Sequence, residues 1–345
     1  MPPDDDAIIE LAHGAGGRLS RQLLEDLLLP AFPPVVGVPH DAAVLPAQSG
    51  CLAFTTDSYV VRPLFFPGGD IGRLAVCGSV NDLAMAGARP LALSLALILE
   101  EGLPLVTLRR VIDSIRATAQ ACGVDVVTGD TKVVERGLAD GLYINTSAVG
   151  VVAPGPMIHP PAVRPGDAVL VSGDLGRHGL AILAARGELG LRSGLPSDLA
   201  SLQEPVQALL DAGLDLHVLR DLTRGGLAAA IDEIARGAGC RITLEEPSIP
   251  FHPAVAGACE LLGLDPLAMA NEGRMVVLLP EAQADAALAL LRRFQPEAAR
   301  IGGVGECLLA GDAPLERRHP VSLRNGLGVL RPLELGRGEQ LPRIC

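Results

Sequence analysis

Aromatic side chains are scarce in this 345-residue chain: tryptophan is absent, and there are two Tyr and six Phe. Single-stranded nucleic-acid platforms need stacking rings, so the scarcity speaks against one, and the core must rest on Ala, Leu, Val and Ile. Positive charge is also short, 28 Lys and Arg against 40 Asp and Glu, for a net charge of -12 and a pI near 5.0. Such a chain is unsuited to DNA, RNA or anionic lipid, and it binds nucleotide phosphates only if metal ions mask its charge. The longest largely apolar run, Leu91 to Leu99, is too short to span a bilayer. Met1 to Asp6 is acidic and contains proline, unlike a secretion signal. The seven cysteines are odd in number and form no CxxC pair, which excludes a disulfide framework or zinc signature and fits a reducing, cytoplasmic setting.

The length and the 49% hydrophobic content suffice for two domains with buried cores. Five prolines between Ala153 and Pro165 make poor helix or strand and a good junction. The expected division is 1–153, 154–332 and a tail, 333–345. In the first part, periodicity predicts helices at Leu19 to Leu29, Asp70 to Ala86 and Leu105 to Cys122. Strands are expected at Val44 to Leu45, Cys51 to Thr56, Leu91 to Leu99, Val124 to Thr128 and Leu142 to Val152. In the second, strands are expected at Ala168 to Ser172, Arg241 to Leu244, Met275 to Leu279, Val304 to Leu309 and Val329 to Leu330, with helices at Gly225 to Arg236 and Glu281 to Phe294. Asp221 to Leu227 reads as a helix approach with Thr223 as a candidate cap. This alternation implies layered α/β or α+β domains.

Acidic residues recur where apolar segments end: Asp41, Asp57, Asp82 after Asn81, and Asp130 in Gly129-Asp130-Thr131-Lys132. Converging carboxylates are hard oxygen ligands for Mg²⁺, although each alone suits a helix or turn cap equally well. Asp82 lies among Val80, Leu83, Ala84 and Met85, where a carboxylate is costly to bury without a partner. Two glycine-rich loops, Gly14 to Gly17 and Gly173 to Gly179, precede helices and offer backbone amides to phosphate, or are simply turns. Neither is a Walker loop. Lys132, in a chain poor in lysine, suits phosphate or a substrate oxygen, or else a solvated loop. Glu272 suits a general base or a turn carboxylate. His13, His40 and His178 lack metal spacing. The last residue is Cys345, with Arg343 nearby to favour thiolate. The tail from Leu333 can extend about 40 Å, which suits a swinging thiol carrier.

Taken together, His40-Asp41-Ala42-Ala43, Thr56-Asp57, Asn81-Asp82, Gly129-Asp130-Thr131 and Asp221-Leu222-Thr223-Arg224-Gly225-Gly226 resemble the ATP-binding superfamily of aminoimidazole ribonucleotide (AIR) synthetase. Within it, His13-Gly14-Ala15-Gly16-Gly17, Asn271-Glu272-Gly273-Arg274 and the ending Pro342-Arg343-Ile344-Cys345 resemble the hydrogenase maturation family HypE, over essentially the whole chain. The resemblance implies a two-domain PurM/AIR synthetase-like α+β fold with mixed sheets and a flexible C-terminal tail. It implies a homodimer with ATP near the interface, and a carbamoyltransferase, HypF, that loads Cys345. The carbamoyl group is then dehydrated with ATP to a thiocyanate, and a HypC–HypD complex accepts cyanide for the iron of a [NiFe] hydrogenase. On this view Asp41, Asp57, Asp82 and Asp130 hold Mg²⁺. Asn81, Gly129 and Thr131 join them on the nucleotide, and Lys132 and Glu272 act with Cys345 in catalysis. The rivals are a selenophosphate synthetase, which needs a reactive residue near the N-terminus, and a non-catalytic ATP-binding scaffold, which needs no terminal thiol.

Overall fold

A computed structural model describes residues 7–33, 42–155, 157–187, 194–308, 319–336, 340–341 and 343–345. The chain opens with helix α1 (Arg18–Leu23), a π-helical turn at Leu24–Leu28 and the short α2 (Leu29–Ala31), so the single helix expected over Leu19 to Leu29 is interrupted. Strand β1 (Cys51–Tyr59), a small hairpin β2 (Phe65–Phe66) and β3 (Gly69–Asp70), α3 (Ile71–Met85), β4 (Ala88–Glu100), α4 (Leu105–Ala121), β5 (Asp125–Val134) and β6 (Leu142–Val152) follow. They form a four-stranded mixed sheet in the order β1-β6-β4-β5, with only β4 and β5 parallel. Asp70 starts α3: its Oδ1 accepts from the amides of Gly72 and Arg73, and its Oδ2 accepts from the Ser114 hydroxyl of α4. Val44 and Leu45 form no strand.

The second half contains β7 (Asp167–Val171), α5 (Arg177–Arg186), α6 (Gln203–Asp211), β8 (Val218–Asp221), α7 (Gly226–Ala238), β9 (Cys240–Glu245), α8 (Pro253–Leu262), β10 (Met275–Pro280), α9 (Ala284–Leu291), β11 (Ala299–Cys307), β12 (Val321–Arg324) and β13 (Leu330–Pro332). Its seven-stranded sheet runs β13-β12-β9-β11-β7-β10-β8, and is mixed because β12 lies parallel to β9. Strand β8 and helices α6 and α8 were not expected, nor was β12. Asp221, read as a helix approach, ends a strand, and α7 starts five residues later.

Helix α3 is buried over nearly its whole length because it serves both halves. Its first part packs on the four-stranded sheet, while Ala84 and Met85 enter a cluster with Leu170, Val206 and Val277 of the second half. Conversely Ile182, Leu199, Ala270 and Ile344 join the core of the first sheet. The other face of that sheet exposes Leu52 and Phe54.

Candidate active site

Four carboxylates from separate segments gather where the halves meet. Asp57 lies near the end of β1, Asp82 in α3, Asp221 at the end of β8, and Glu272 just before β10. The Thr55 hydroxyl donates to Asp82 Oδ2 at 2.5 Å, and the Tyr59 hydroxyl donates to Asp57 Oδ2 at 3.3 Å. Tyr59 is buried, and its hydroxyl rests directly on Gly78 of α3, where any Cβ would collide with it.

Crowding like charges away from water raises their proton affinity. Burial, then Asp82, lifts Asp57 to about 6. Burial, then Asp82, lifts Asp221 to about 7. Glu272 is 3% exposed, and burial holds its pKa well above the usual carboxylate range, with Asp221, Asp198, Asp57 and Asp82 adding to the effect. Its Oε1 is buried without a hydrogen-bond partner among the described residues. Such a carboxyl is poised either to take a proton or to meet a cation.

The segment around Glu272 is held by backbone bonds. Asp198 Oδ2 accepts from the amides of Glu272 and Gly273 at 3.1 and 3.0 Å. The Asp198 carbonyl leaves no room for a side chain at Gly273. Arg274 donates to Asp174 Oδ1 at 2.9 Å in a buried pair. Asn81 is buried and bonds to backbone groups. Its amide donates to the carbonyls of Ala200 and Glu272 and accepts from Leu202 N, so it clasps the two halves together.

Gly129, Asp130, Thr131 and Lys132 lie elsewhere, on β5. Asp57, Thr146, Leu95 and Gly129 form one row across the four strands. Three inter-strand steps therefore separate Asp57 from Gly129, about 14 Å. Asp130 and Lys132 are exposed and paired at 3.0 Å, and this pairing lowers the Asp130 pKa. Lys132 is the sole lysine of the chain. With His13, Gly14 and Gly16 these residues line a cavity of about 950 Å³, whose apolar wall includes Leu24, Leu28 and Leu97. The N-terminal glycine loop and the β5 segment thus share one cavity. Asp41 lies outside the described residues, as does His40.

The end of the tail is docked. The amide of Val60, three residues after Asp57, donates to the Cys345 carbonyl at 3.2 Å. Arg343 donates to the Val60 carbonyl and pairs with Asp140 at 3.0 Å. Ile344 is buried beside Ala270 and Leu199. The flexible arm read from the sequence therefore has a defined inward placement, against the backbone that follows Asp57 of β1.

Among the described residues, no three Asp, Glu, His or Cys side chains close on a common metal position. The oxygen donors nevertheless suit Mg²⁺, which keeps several waters and binds through one or two carboxylates plus phosphate rather than a complete protein cage. Also among the described residues, no helix is long and apolar enough to cross a membrane. The sequence signals missed Asp221 and Tyr59. Asp221 opens the Asp-Leu-Thr-Arg-Gly-Gly string, and the signal that it ends a strand is the short, largely apolar stretch Leu216-His217-Val218-Leu219.

The family described as AIR synthase related protein, N-terminal domain, matches residues 39–152, and its C-terminal domain counterpart matches 164–307. Carbamoyl dehydratase HypE of Rhodobacter capsulatus is 50% identical, covering 99% of each chain. A crystal structure of hydrogenase maturation protein HypE in complex with ATP is 46% identical with a TM-score of 0.89, covering 97% of this chain and 99% of that one. A crystal structure of a HypE–HypF complex is 40% identical with a TM-score of 0.77, covering 91% of this chain and 99% of that one.

Proposed function

The chain belongs to the HypE carbamoyl dehydratase family, and from that premise we propose that it dehydrates a carbamoyl group on its own Cys345, using ATP, in [NiFe] hydrogenase maturation. The observation that carries the reading is the terminal cysteine itself, docked through its carbonyl on the amide of Val60, three residues along the chain from the buried Asp57. A carbamoyl oxygen is a poor leaving group. Phosphorylation by ATP joins that oxygen to the γ-phosphorus, and loss of two protons from nitrogen then expels it as phosphate. The sulfur is left bearing a nitrile, with ADP and phosphate as the other products.

Glu272 is suited to take a proton from that nitrogen, since a buried carboxylate with one oxygen unpaired is a strong base. Asp57 and Asp82 are the residues that would hold Mg²⁺ here, with Asp41 and Asp130 as further candidates, and the ion would neutralise phosphate charge. The cavity between Gly14 and Lys132 suits the nucleotide. Its apolar wall takes the base, while Lys132, Gly129, Asp130 and Thr131 face the phosphates. Asn81 supports the site through the clasp between the halves. We assign residues 1–153 and 154–332 as the two domains and 333–345 as the carrier arm.

One chain separates the nucleotide cavity from the carboxylates by the width of its sheet. The face of that sheet with Leu52 64% and Phe54 70% exposed suits a second copy, so we assign the active unit as a homodimer whose site draws on both copies. HypF is the loading partner, a HypC–HypD complex is the cyanide acceptor, and the setting is the cytoplasm. The test is the mass of the C-terminal peptide after incubation with HypF, before and after Mg-ATP. Gain of a carbamoyl group followed by loss of one water is expected. A loaded peptide unchanged by Mg-ATP would overturn the dehydratase reading.

A further inference from the structure

A buried histidine makes the innermost of the bonds that hold the chain's end. The His178 ring is fully buried in α5, with Nε2 2.8 Å from the Ile344 carbonyl and Nδ1 2.8 Å from Ser197 Oγ. A carbonyl only accepts, so Nε2 carries the proton and donates, and Nδ1 accepts from the Ser197 hydroxyl. Burial keeps the ring's pKa below its ordinary value, in keeping with the neutral form. The ring stands edge-on to Phe66 with centroids 5.4 Å apart, so it has little freedom to turn.

Ser197 is fixed in turn. Its amide donates to the Pro67 carbonyl at 2.8 Å, and its Oγ accepts from Leu199 N at 3.1 Å. The next residue, Asp198, accepts from His178 N through Oδ1 and from the amides of Glu272 and Gly273 through Oδ2. Two consecutive residues therefore fix both the tail's last internal carbonyl and the backbone of the proposed proton acceptor.

We infer that His178 is a positioning residue that registers the docked Cys345 against Glu272, reading the tail through a backbone carbonyl and therefore independently of what the thiol carries. The inference rests on the reading of Cys345 as the carrier. The hold opposes a strained backbone: Arg343 sits at φ 54°, a left-handed conformation that costs energy in a non-glycine residue. Arg186 donates to the Arg343 carbonyl at 2.6 Å and helps offset that cost. A latch balanced in this way can release the thiol to a partner and recapture it whether unloaded or loaded.

The test is the rate at which iodoacetamide alkylates Cys345 in the full-length protein without nucleotide, read by mass on the peptide spanning 340–345. His178→Leu removes the donor and keeps the site apolar, and alkylation is expected to quicken about tenfold, the order expected for losing a buried hydrogen bond. His178→Gln can present an amide N–H near the position of Nε2 and is expected to return the rate to within about twofold of the parent. An unchanged rate in His178→Leu, or a rate in His178→Gln as fast as in His178→Leu, would overturn the assignment. The second result would mean that the ring matters only for packing. If His178→Leu does not fold, Ser197→Ala leaves the ring in place without its orienting hydroxyl. A several-fold rise is expected there, and no change overturns the inference. The assay uses the unloaded thiol and no HypF or ATP, so its failure leaves the carbamoyl reading standing, and failure to find a carbamoyl group leaves the alkylation result standing.

Discussion

The carboxylate cluster at the junction of the halves and the β5 edge carry the same kinds of residue in opposite environments. Asp57, Asp221 and Glu272 are held away from water and have raised pKa values, each through burial first and neighbouring carboxylates second. Asp130 is exposed, paired with Lys132 and shifted down. An aspartate in this chain is thus a proton-holding group or an ordinary surface anion according to what surrounds it. Under the proposed function this difference divides the labour: proton removal and metal contact would fall to the first region and nucleotide contact to the second.

That division can be broken by four measurements. Glu272→Gln should lower single-turnover dehydration of loaded protein by about 10²–10⁴-fold, the usual worth of a positioned base, while Mg-ATP affinity by calorimetry stays within about twofold. Equal losses in both would merge the two regions. Lys132→Ala should do the reverse, weakening Mg-ATP binding by roughly tenfold or more. Because the chain has no other lysine, amine-reagent labelling offers a second readout: saturating Mg-ATP should protect Lys132. Mixing Lys132→Ala with Glu272→Gln sharpens the comparison further. If the two residues serve one site from different copies, the mixture should recover about a quarter of parental turnover, as random re-pairing of a dimer gives. Recovery of none would place both in one chain's site.

The third measurement concerns stability without metal. The raised Asp221 means that the folded chain keeps this proton to about pH 7, whereas the unfolded chain releases it near pH 3.8. Folded stability from this group is therefore greatest below the unfolded value and falls as pH rises through about 7. Asp221→Asn should flatten that fall and stabilise the metal-free protein by roughly 1–2 kcal/mol at pH 8, seen in thermal unfolding. No gain would mean that the carboxylate is compensated by a partner. The smallest effect is expected from Arg343→Ala. It removes a half-exposed pair with Asp140 and a bond to Val60, and should quicken Cys345 alkylation only about two- to fivefold.

Much of the fold was legible because local periodicity survives folding. The strands at Cys51 to Thr56, Leu142 to Val152 and Met275 to Leu279 fall inside observed strands, and the helices at Asp70 to Ala86 and Leu105 to Cys122 nearly coincide with α3 and α4. Helices α6 and α8 went unread. Each carries a proline in its first turns, and α8 has an interior glycine, so breaker signals hid a helix that tertiary packing stabilises. Val44 and Leu45 form no strand because two apolar residues do not make a strand without a neighbouring ladder.

The sequence by itself determined the chemistry available: a terminal thiol, a sole lysine, acids at the ends of apolar segments and a glycine loop before a helix. These are local properties, set by which residue stands where along the chain. Which acids face one another was decided by tertiary structure alone. Asp57 and Asp130 look alike in sequence, yet strand order puts them at opposite edges of one sheet. Asp221, which by its place in the sequence reads only as part of a helix approach, joins Asp57 and Asp82 because β8 ends against α3. Asn81 became a clasp, and His178 came to hold a carbonyl 166 residues away. Such pairings arise from how two cores pack across a shared helix, and no spacing along the chain encodes that distance.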